Sequence, residues 1–326
     1  MTRQDDIVAS LADIGIAAAR IRAIEPLSGG VSSDVFRVDL DDRALCVKFA
    51  IERLRVARDW QAPVRRSAAE YGWLEKVGAW FPGWGPQVIG YDAARYGMAM
   101  AYLPPETHPN WKAELLSGHV DRAVAAQVGA RLVAIHARSA TEPSLAGVFA
   151  NQDDFAALRI DPYLRFTAAR HPELAQHIHA LADALASASV ALVHGDVSPK
   201  NILCGPAGPV FIDAECATWG DPAFDAAFVL NHLVIKALVL SRGTAASARA
   251  LWEAYRHGVD WEPADTIETR IAALLPALML ARVDGKSPLE YLTGETAQLV
   301  RDRASVLLTR QPTTVGAILT NIEESR

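Results

Sequence analysis

The sequence has little cysteine, no excess of positive charge and no long uninterrupted apolar run, and each shortage excludes a class of protein. Its 326 residues include only three cysteines, Cys46, Cys204 and Cys216, and no C-x-x-C pair. A disulfide framework or a cysteine zinc site is therefore not expected, and the usage fits the reducing cytoplasm. Lysine and arginine number 32 against 38 acidic residues, a net charge of −6. This balance argues against a general binder of nucleic acid or anionic membrane.

Apolar segments give no sign of a membrane span or a secretory signal. The most apolar stretch, residues 226–240, is interrupted by Asn231, His232 and Lys236. It is shorter than the roughly 20 residues that cross a bilayer, so it predicts a buried helix. The first fifteen residues carry two aspartates and no sustained apolar run, so no signal peptide is expected. With 51% hydrophobic and 21% charged residues, the chain has ample material for a folded core.

The pattern of apolar residues changes along the chain. Strand-type alternation and turn residues mark strands up to residue 104, and residues 64–80 have helical spacing. Pro104-Pro105 stops the last strand and suggests a boundary. Beyond it helical spacing recurs at 121–139, 161–171, 172–187, 222–241, 245–257, 266–282 and 292–309. We predict an α+β fold of two lobes: residues 1–103 with five antiparallel strands and one helix, a hinge at about 99–105, and a mostly helical lobe at 104–326.

Residues 190–222 interrupt the helical part with short β-type runs set between Gly, Pro and Asp. His194-Gly195-Asp196 follows an apolar run, Asn201 lies five residues after Asp196, and Val210-Phe211-Ile212 delivers Asp213. Magnesium prefers hard oxygen ligands, typically one or two carboxylates together with substrate phosphates. Asn201 and Asp213 can supply such a pair, which leaves Asp196 to orient an acceptor hydroxyl and take its proton.

The spacing H-G-D-V-S-P-K-N matches the kinase pattern H-R-D-x-x-x-x-N that precedes a metal-binding aspartate. With Ile212-Asp213-Ala214-Glu215 and Gly220-Asp221-Pro222-Ala223-Phe224-Asp225, it resembles the aminoglycoside phosphotransferase family. That broad group of small-molecule kinases includes choline, homoserine and methylthioribose kinases. Gly195 stands in the arginine position and Ser198 where protein kinases often have lysine. The metal-binding aspartate is followed by Ala-Glu, and no A-P-E segment appears, which argues against a kinase acting on peptides.

The resemblance implies a two-lobed protein-kinase-like fold that binds ATP and Mg²⁺ between its lobes. Asn201 and Asp213 would hold the metal, and Lys48 would hold the α- and β-phosphates. Glu70 is the expected partner of Lys48, with Glu75 as the fallback. The nucleotide's phosphates would lie under a Gly-rich turn, and its adenine against backbone groups of the hinge. The residues expected at these two places are Ser28, Gly29, Gly30, Ser32 and Ser33 in the turn and Ala101 and Leu103 in the hinge.

The predicted activity is transfer of the γ-phosphate of ATP to a hydroxyl of a small molecule, with Asp196 as the catalytic base. Sugars, amino alcohols and aminoglycoside-like compounds are the candidate acceptors, and no obligate protein partner is evident. A cationic aminoglycoside would need an acidic pocket; acidic residues of the C-terminal half are Asp260, Glu262, Asp265, Glu268 and Asp284. The alternatives are a protein kinase, a non-catalytic nucleotide-binding regulator and a nucleotidyl transferase of the same fold.

Several neighbouring residues have weaker assignments. His194 is expected to be structural, and Asp221 and Asp225 to support the catalytic loop. Glu215 is left between a contact near the metal, a substrate contact and a solvated position. The arginines at 53, 55, 58, 65 and 66 favour a solvated face over recognition of an anionic substrate. The tryptophans are expected mostly in the core, with stacking on substrate as the alternative for Trp111 and Trp219.

Overall fold

The structure is a computed structural model that describes residues 3–27, 32–55, 60–240 and 243–324. Its N-terminal part is a five-stranded antiparallel sheet in the spatial order β1-β2-β3-β5-β4. The strands are β1 (Ile21–Pro26), β2 (Ser33–Leu40), β3 (Ala44–Ala50), β4 (Val88–Asp92) and β5 (Gly97–Ala101). The predicted sheet is therefore confirmed in strand number and direction.

Strand β3 lies in the middle of this sheet, and its two faces differ. Leu45, Val47 and Phe49 are each 1% exposed or less and point into one core. Cys46 and Lys48 alternate with them, so they face the opposite side, because successive strand residues point to opposite faces. Lys48 pairs with β2 on one side and β5 on the other. Because β3 is paired on both sides, the position of Lys48 on this face of the sheet is fixed.

Two helices accompany the sheet, although the sequence pattern predicts only one. Helix α2 (Arg66–Trp80) matches the predicted 64–80 segment. Helix α1 (Arg3–Asp13) is additional, and it buries Ile7 and Leu11 against the Phe49 face of the sheet. Two buried apolar residues one turn apart are a weak periodic signal, and this is why the sequence pattern did not reveal α1.

The rest of the chain is mostly helical, as predicted. Its helices are α3 (Trp111–Leu116), α4 (Arg122–Ala140), α5 (Leu145–Val148), α6 (Gln152–Phe155), α7 (Phe166–Ala168), α8 (Ala175–Ser187), α9 (Pro222–Val239), α10 (Gly243–His257), α11 (Ala264–Asp284), α12 (Gly294–Arg310) and α13 (Val315–Glu324). The predicted helix at 161–171 is instead a π-helical segment, Ala156–Arg165, followed by the short α7. Helices α3, α5, α6 and α13 were not predicted.

Helix α9 runs through the centre of this part. The Asp221 side chain accepts a hydrogen bond from Ala223 N at 2.9 Å, and Pro222 follows it, an arrangement that starts a helix. By length and composition α9 could cross a membrane, but 94% of the 18-residue stretch is buried inside the protein. The prediction of a buried helix is confirmed. The first turn of α9 lies beside the 190–222 segment.

Candidate active site

Two small β-elements present the predicted catalytic segment. Strand β6 (Ala191–Val193) leads into residues 194–201, and the hairpin β7 (Ile202–Gly205) and β8 (Gly208–Phe211) follows. The Ile212 N–H donates to the Asn201 carbonyl at 3.0 Å, which closes the base of the hairpin. Strand β9 (Thr218–Gly220) pairs with β6. The hairpin therefore brings Asn201 and Asp213 together, as the sequence predicts.

Asp225, in the first turn of α9, supports the loop of residues 194–201. Its carboxylate is 0% exposed. It accepts hydrogen bonds from the backbone N–H of His194 at 2.7 Å and of Gly195 at 2.8 Å. His136 Nε2 lies 3.2 Å from the same carboxylate. A carboxylate bound by adjacent backbone donors fixes the loop geometry, because these hydrogen bonds are charge-assisted. Asp225 therefore has the supporting position that was expected.

The glycine that replaces the kinase arginine is required by the backbone. Gly195 has φ +76°, and a Cβ atom there would lie 2.4 Å from the Cys216 carbonyl oxygen. A side chain is therefore excluded both by conformation and by space. His194 Nε2 lies 3.1 Å from the Ile212 carbonyl, and its Nδ1 accepts from Asp196 N at 3.2 Å. Both ring nitrogens are engaged with backbone atoms, which agrees with the structural role expected of this histidine.

Asp196 lies at the centre of a cationic environment. Its Oδ2 atom is 3.0 Å from the Arg159 guanidinium, 3.1 Å from Lys200 Nζ and 2.8 Å from Asn201 Nδ2. Burial would raise the pKa of Asp196, but Arg159 and Lys200 outweigh that effect and hold it below the usual value. The carboxylate is therefore ionised at neutral pH and able to accept a proton. Sequence reasoning gave no role to Arg159 or Lys200. The i, i+4 spacing of Lys200 from Asp196 was the available signal.

The Lys48 ammonium lies between two carboxylates at the base of the cleft. Its Nζ atom is 2.7 Å from Glu70 Oε2 and also contacts Asp213 Oδ1. Burial would lower the pKa of Lys48, but Asp213 and Glu70 together raise it well above its usual value. The fallback residue Glu75 instead accepts a hydrogen bond from Tyr71 at 3.0 Å. The structure thus brings Lys48 together with Glu70 and with the aspartate at the end of the hairpin.

The donor set at Asn201 and Asp213 fits a magnesium ion. Asn201 Nδ2 donates to the Asp196 backbone oxygen at 3.0 Å and to Asp196 Oδ2, so its amide oxygen is left for another partner. Burial would raise the pKa of Asp213, but Lys48 and Lys200 outweigh that effect and hold it well below its usual value. No group of three or more His, Cys, Asp and Glu residues forms a metal cage in the described part of the chain. One carboxylate and one amide oxygen suit an ion completed by substrate phosphates and water.

These residues open onto one cleft between the sheet and the helical part. Its volume is about 420 Å³, within the range of ligand sites. The predicted residues that line it are Ser32, Ser33, Lys48, Glu70, Ala101, Leu103, Asn201 and Asp213, with Lys200 in addition. Ser28, Gly29 and Gly30 lie outside the described residues. The Ser33 hydroxyl is buried and has no hydrogen-bond partner among the residues that the structure describes, so it is available to a ligand such as a phosphate.

An ion pair between Arg66 and Glu215 decides the open assignments of these two residues. Arg66 is 1% exposed, and its Nε donates to Glu215 Oε2 at 3.0 Å. The same guanidinium donates to the backbone carbonyls of four residues: Ser32, Ile51, Ala62 and Pro63. Arg66 is therefore neither solvated nor a substrate contact, and the expectation for it was wrong. Arg65 pairs with Asp154 at 2.7 Å, while Arg58 lies outside the described residues.

Two aromatic residues considered for substrate stacking are in the core. Trp111 is 1% exposed and Trp219 is 4% exposed. Both belong to the large apolar cluster of the helical part, so the stacking alternative is wrong and the core alternative is right.

Asp221 caps α9 and pairs with Arg270 at 2.8 Å, which is an architectural role as expected.

Comparison with known proteins identifies the class to which this site belongs. The family model described as the phosphotransferase enzyme family matches residues 23–267. Because this match covers well over half of the chain, the protein belongs to that family. A search of curated proteins found no match.

Solved structures agree in fold over nearly the whole chain. The amicoumacin kinase hAmiN, in complex with AMP-PNP and Ca²⁺, is 13% identical with a TM-score of 0.56, covering 97% of this chain and 96% of that one. The gentamicin–APH(2")-IIa complex is 17% identical with a TM-score of 0.53, covering 96% and 98%. A choline/ethanolamine kinase family protein from Mesorhizobium loti is 18% identical with a TM-score of 0.52, covering 99% and 100%. The fold is the two-lobed protein-kinase-like fold, and the predicted resemblance is confirmed.

Proposed function

We propose that the protein transfers the γ-phosphate of ATP to a hydroxyl group of a small molecule, in an Mg²⁺-dependent reaction in the cytoplasm. The observation that carries the proposal is the convergence of Lys48, Glu70, Asn201 and Asp213 on one cleft, with Asp196 hydrogen-bonded to Asn201. Family membership supports the transfer chemistry. The three cysteines are free thiols, which agrees with the proposed location.

The nucleotide would occupy the 420 Å³ cleft. Its phosphates would meet Lys48, together with Ser32 and Ser33 at the described end of the Gly-rich turn. The Ala101 N–H already donates to the Gln87 carbonyl at 2.8 Å, so Leu103 is the better backbone donor for adenine. The proposal also divides the chain at residue 103, with the hinge at 99–105. The AMP-PNP in the hAmiN complex supports nucleotide binding in this fold.

The metal would be held by Asn201 and Asp213. When bound, it would supply positive charge against the phosphate oxygens. Lys48 contacts Asp213 directly, so the carboxylate also has a cationic partner within the chain. Asn201 Nδ2, Arg159 and Lys200 contact Asp196 instead, which supports a separate role for that carboxylate.

Asp196 would orient the acceptor hydroxyl and take its proton. Its low pKa keeps it ionised, and its hydrogen bond to Asn201 fixes the rotamer. Lys200, whose side chain is 51% exposed, would lie beside the transferred group and offset negative charge there. Catalysis would come from positioning and electrostatic stabilisation more than from covalent chemistry.

An ADP-release assay with Mg-ATP and a panel of hydroxyl acceptors tests the proposal. The Asp196→Ala variant should keep Mg-ATP binding and lose turnover by about 10²–10⁴-fold. The Asp213→Ala variant should lose Mg-dependent ATP binding. Asp265→Ala, an 86% exposed aspartate, is the matched control and should behave like the parent. Full turnover by the Asp196 variant would contradict the assignment.

The same assay separates the alternative functions. Mg-ATP binding without turnover on any acceptor would favour a non-catalytic regulator. Phosphate transfer to peptides would favour a protein kinase, and an AMP-labelled product would favour nucleotidyl transfer. Acceptor-dependent ADP release that vanishes in Asp196→Ala is the result we expect.

A further inference from the structure

A group of buried cations lies beside the catalytic loop, outside the nucleotide cleft. We call Lys112, Lys236 and Arg282 the basic cluster. Lys236 is 1% exposed and Arg282 is 8% exposed, whereas the Lys112 side chain is 31% exposed. Lysine and arginine are almost never buried to this extent without an anionic partner. The cluster therefore needs an explanation that a solvated surface does not supply.

The two most buried members have no carboxylate partner. Within the described residues, no carboxylate oxygen lies within 4.0 Å of Lys236 Nζ or the Arg282 guanidinium. Lys236 Nζ donates to the Tyr291 hydroxyl at 3.1 Å. Arg282 donates to the Ser287 carbonyl at 2.6 Å and to the Tyr163 hydroxyl at 3.0 Å. Arg282 Nε is buried, and the described part of the protein offers it no acceptor. Neutral oxygens compensate only part of the cost of burying a cation. An anion bound beside these side chains would therefore stabilise the protein.

Aromatic contacts connect Arg282 with the catalytic aspartate. Arg159, which is 3.0 Å from Asp196 Oδ2, has its guanidinium carbon 5.8 Å from the centre of the Tyr163 ring. The Arg282 guanidinium carbon lies 5.5 Å from the same ring. The two arginines are therefore neighbours across one tyrosine. Burial and the charges of Arg282, Lys236 and Lys200 lower the pKa of His232 well below its usual value, so the basic cluster also lies near Lys200, which contacts Asp196.

Helix α9 places Lys236 on the same side. Phe228, His232 and Lys236 recur every four residues, so they share one face of the helix. The Phe228 ring lies 5.9 Å from the Arg159 guanidinium carbon and 5.5 Å from the His232 ring. Lys112 and its ion-pair partner Glu290 lie at the more exposed edge. The α9 face thus runs from the catalytic loop to the basic cluster.

Four of the five acidic residues considered for a cationic acceptor are paired with arginines, and the fifth, Asp260, is exposed. Glu262 pairs with Arg270 at 2.7 Å, and Asp284 pairs with Arg301 at 2.8 Å. Asp265 and Glu268 both pair with Arg256. Each of these carboxylates already has an arginine, so they form no pocket for an aminoglycoside-like cation. The uncompensated charge near Asp196 is positive instead.

We propose that the acceptor is a small hydroxyl compound that carries an anionic group, a carboxylate or a phosphate, and that Lys236 and Arg282 bind this group while its hydroxyl meets Asp196. The inference rests on the proposed function and names its substrate class. Burial, together with the Lys112 and Arg282 charges, lowers the pKa of Lys236 to about 7, although the Glu290 carboxylate acts in the opposite direction. A bound anion would raise that pKa and restore the full charge.

The reaction balances without a further reactant. The acceptor oxygen forms a bond to the γ-phosphorus, and the bond between that phosphorus and the β,γ-bridging oxygen breaks. ADP leaves with the bond electrons. The hydroxyl proton goes to Asp196 and then to solvent. The product carries its original anionic group and a new phosphate, so the enzyme that uses this product next must accept a molecule with two anionic groups.

Acceptors that share a carbon skeleton but differ in their anionic group test the inference. Glycerol, glycerate and glycerol 3-phosphate form one set; ribose, ribonate and ribose 5-phosphate form another; choline represents the cations. In thermal-shift measurements with Mg-ADP, we expect an anionic member to raise Tm more than its neutral counterpart. The carboxylate and phosphate arms identify which anion is preferred. Greater protection by neutral compounds or by choline would overturn the inference, and so would no anion-dependent shift at all.

Variants connect the effect with the basic cluster. Lys236→Met keeps the length of the side chain without its charge, and Lys236→Arg keeps the charge. We expect Lys236→Met and Arg282→Gln to raise the KM for an anionic acceptor about 10–100-fold, as loss of a charged contact does, and Lys236→Arg to recover part of it. The ligand-free Lys236→Met protein should have a Tm no lower than the parent, because an uncompensated charge is removed. Unchanged anion binding in both neutral variants would refute the role of the cluster.

The two proposals fail in different ways. The first outcome is anion binding that depends on Lys236 and persists in Asp196→Asn, with no turnover in the parent protein. This would support the anion site and contradict the proposed function. The second outcome is turnover of neutral or cationic acceptors that does not change when Lys236 is replaced, and this would support the proposed function and contradict the anion site. Asp196→Asn keeps the shape of the side chain and removes the proton acceptor, so it separates binding from chemistry.

Discussion

Replacing Asp225 with alanine should destabilise the catalytic loop more than any surface substitution. Its carboxylate is fully buried and accepts hydrogen bonds from His194 N, Gly195 N and His136 Nε2 at 2.7, 2.8 and 3.2 Å. Alanine leaves two backbone donors and one imidazole facing a cavity with no acceptor. The damage falls at the two residues that precede Asp196, so stability and turnover should change together.

The magnitude follows from the donors left unpaired. A buried donor without a partner costs about 1–3 kcal/mol, so two backbone donors and the imidazole would together cost up to about 9 kcal/mol. Relief from burying the carboxylate offsets part of this cost. We expect Asp225→Ala to lower the free energy of unfolding by about 3–5 kcal/mol. Asp225→Asn keeps one acceptor oxygen but turns an amide N–H towards a donor, and about 2 kcal/mol should be lost.

Urea denaturation followed by tryptophan fluorescence measures these losses. Asp265→Ala is the matched control, since that side chain is 86% exposed and pairs only with exposed or half-exposed groups, and its midpoint should not move. ADP release under native conditions should fall in Asp225→Ala even where the protein is folded. A loss below about 1 kcal/mol for Asp225→Ala would refute the reasoning, because the loop would then be held by something else.

Three further outcomes are expected. Gly195→Ala should lower stability by more than about 1 kcal/mol in urea denaturation, because φ is +76° and a Cβ would meet a carbonyl oxygen at 2.4 Å; Gly147→Ala, which has open space, should not. Burial lowers the pKa of Lys236 to about 7, so the unfolded state binds more protons above that pH, and the urea stability of the parent should rise relative to Lys236→Met between about pH 7 and 10. Equal pH profiles would contradict this. Arg159 holds the pKa of Asp196 low; Arg159→Met should therefore move the acid limb of kcat/KM to higher pH, and an unmoved limb would exclude that influence.

The nucleotide cleft could be predicted because its parts are local in the chain. Asp196, Asn201 and Asp213 lie within one loop and one hairpin, so their spacing alone brings them together. Lys48 was visible as a charge in the middle of an apolar strand, and a carboxylate on the following helix was a natural partner. The structure chooses Glu70 by geometry, since its side chain reaches Lys48 at 2.7 Å.

The cations beside Asp196 could not be predicted in the same way. Arg159 arrives from a π-helical segment, Ala156–Arg165, whose residues do not follow the 3.6-residue period used to find helices. Lys236 appeared only as an interruption of an apolar stretch, which is how any lysine in a core helix looks. Its burial depends on helices that pack around α9 from distant parts of the chain.

The wrong expectation for Arg66 and the open alternatives for Trp111 and Trp219 share one cause. Trp111 and Trp219 follow polar loops in the sequence, and a tryptophan there can face either a cleft or a core. Arg66 belongs to a run of arginines, and among the described members of that run it is the buried one, directed towards Glu215. Side-chain direction at such positions is decided by long-range packing, and composition does not record it.

The position of Arg66 has a consequence for movement between the two parts of the protein. Its guanidinium ties carbonyls beside the sheet and at the start of α2 to Glu215 in the helical part. Breaking any of these contacts would strand a buried charge, which is costly. If the cleft widens to admit a nucleotide, we therefore expect the sheet to rotate about Arg66. The displacement would be smallest beside this residue and largest at the far end of the sheet.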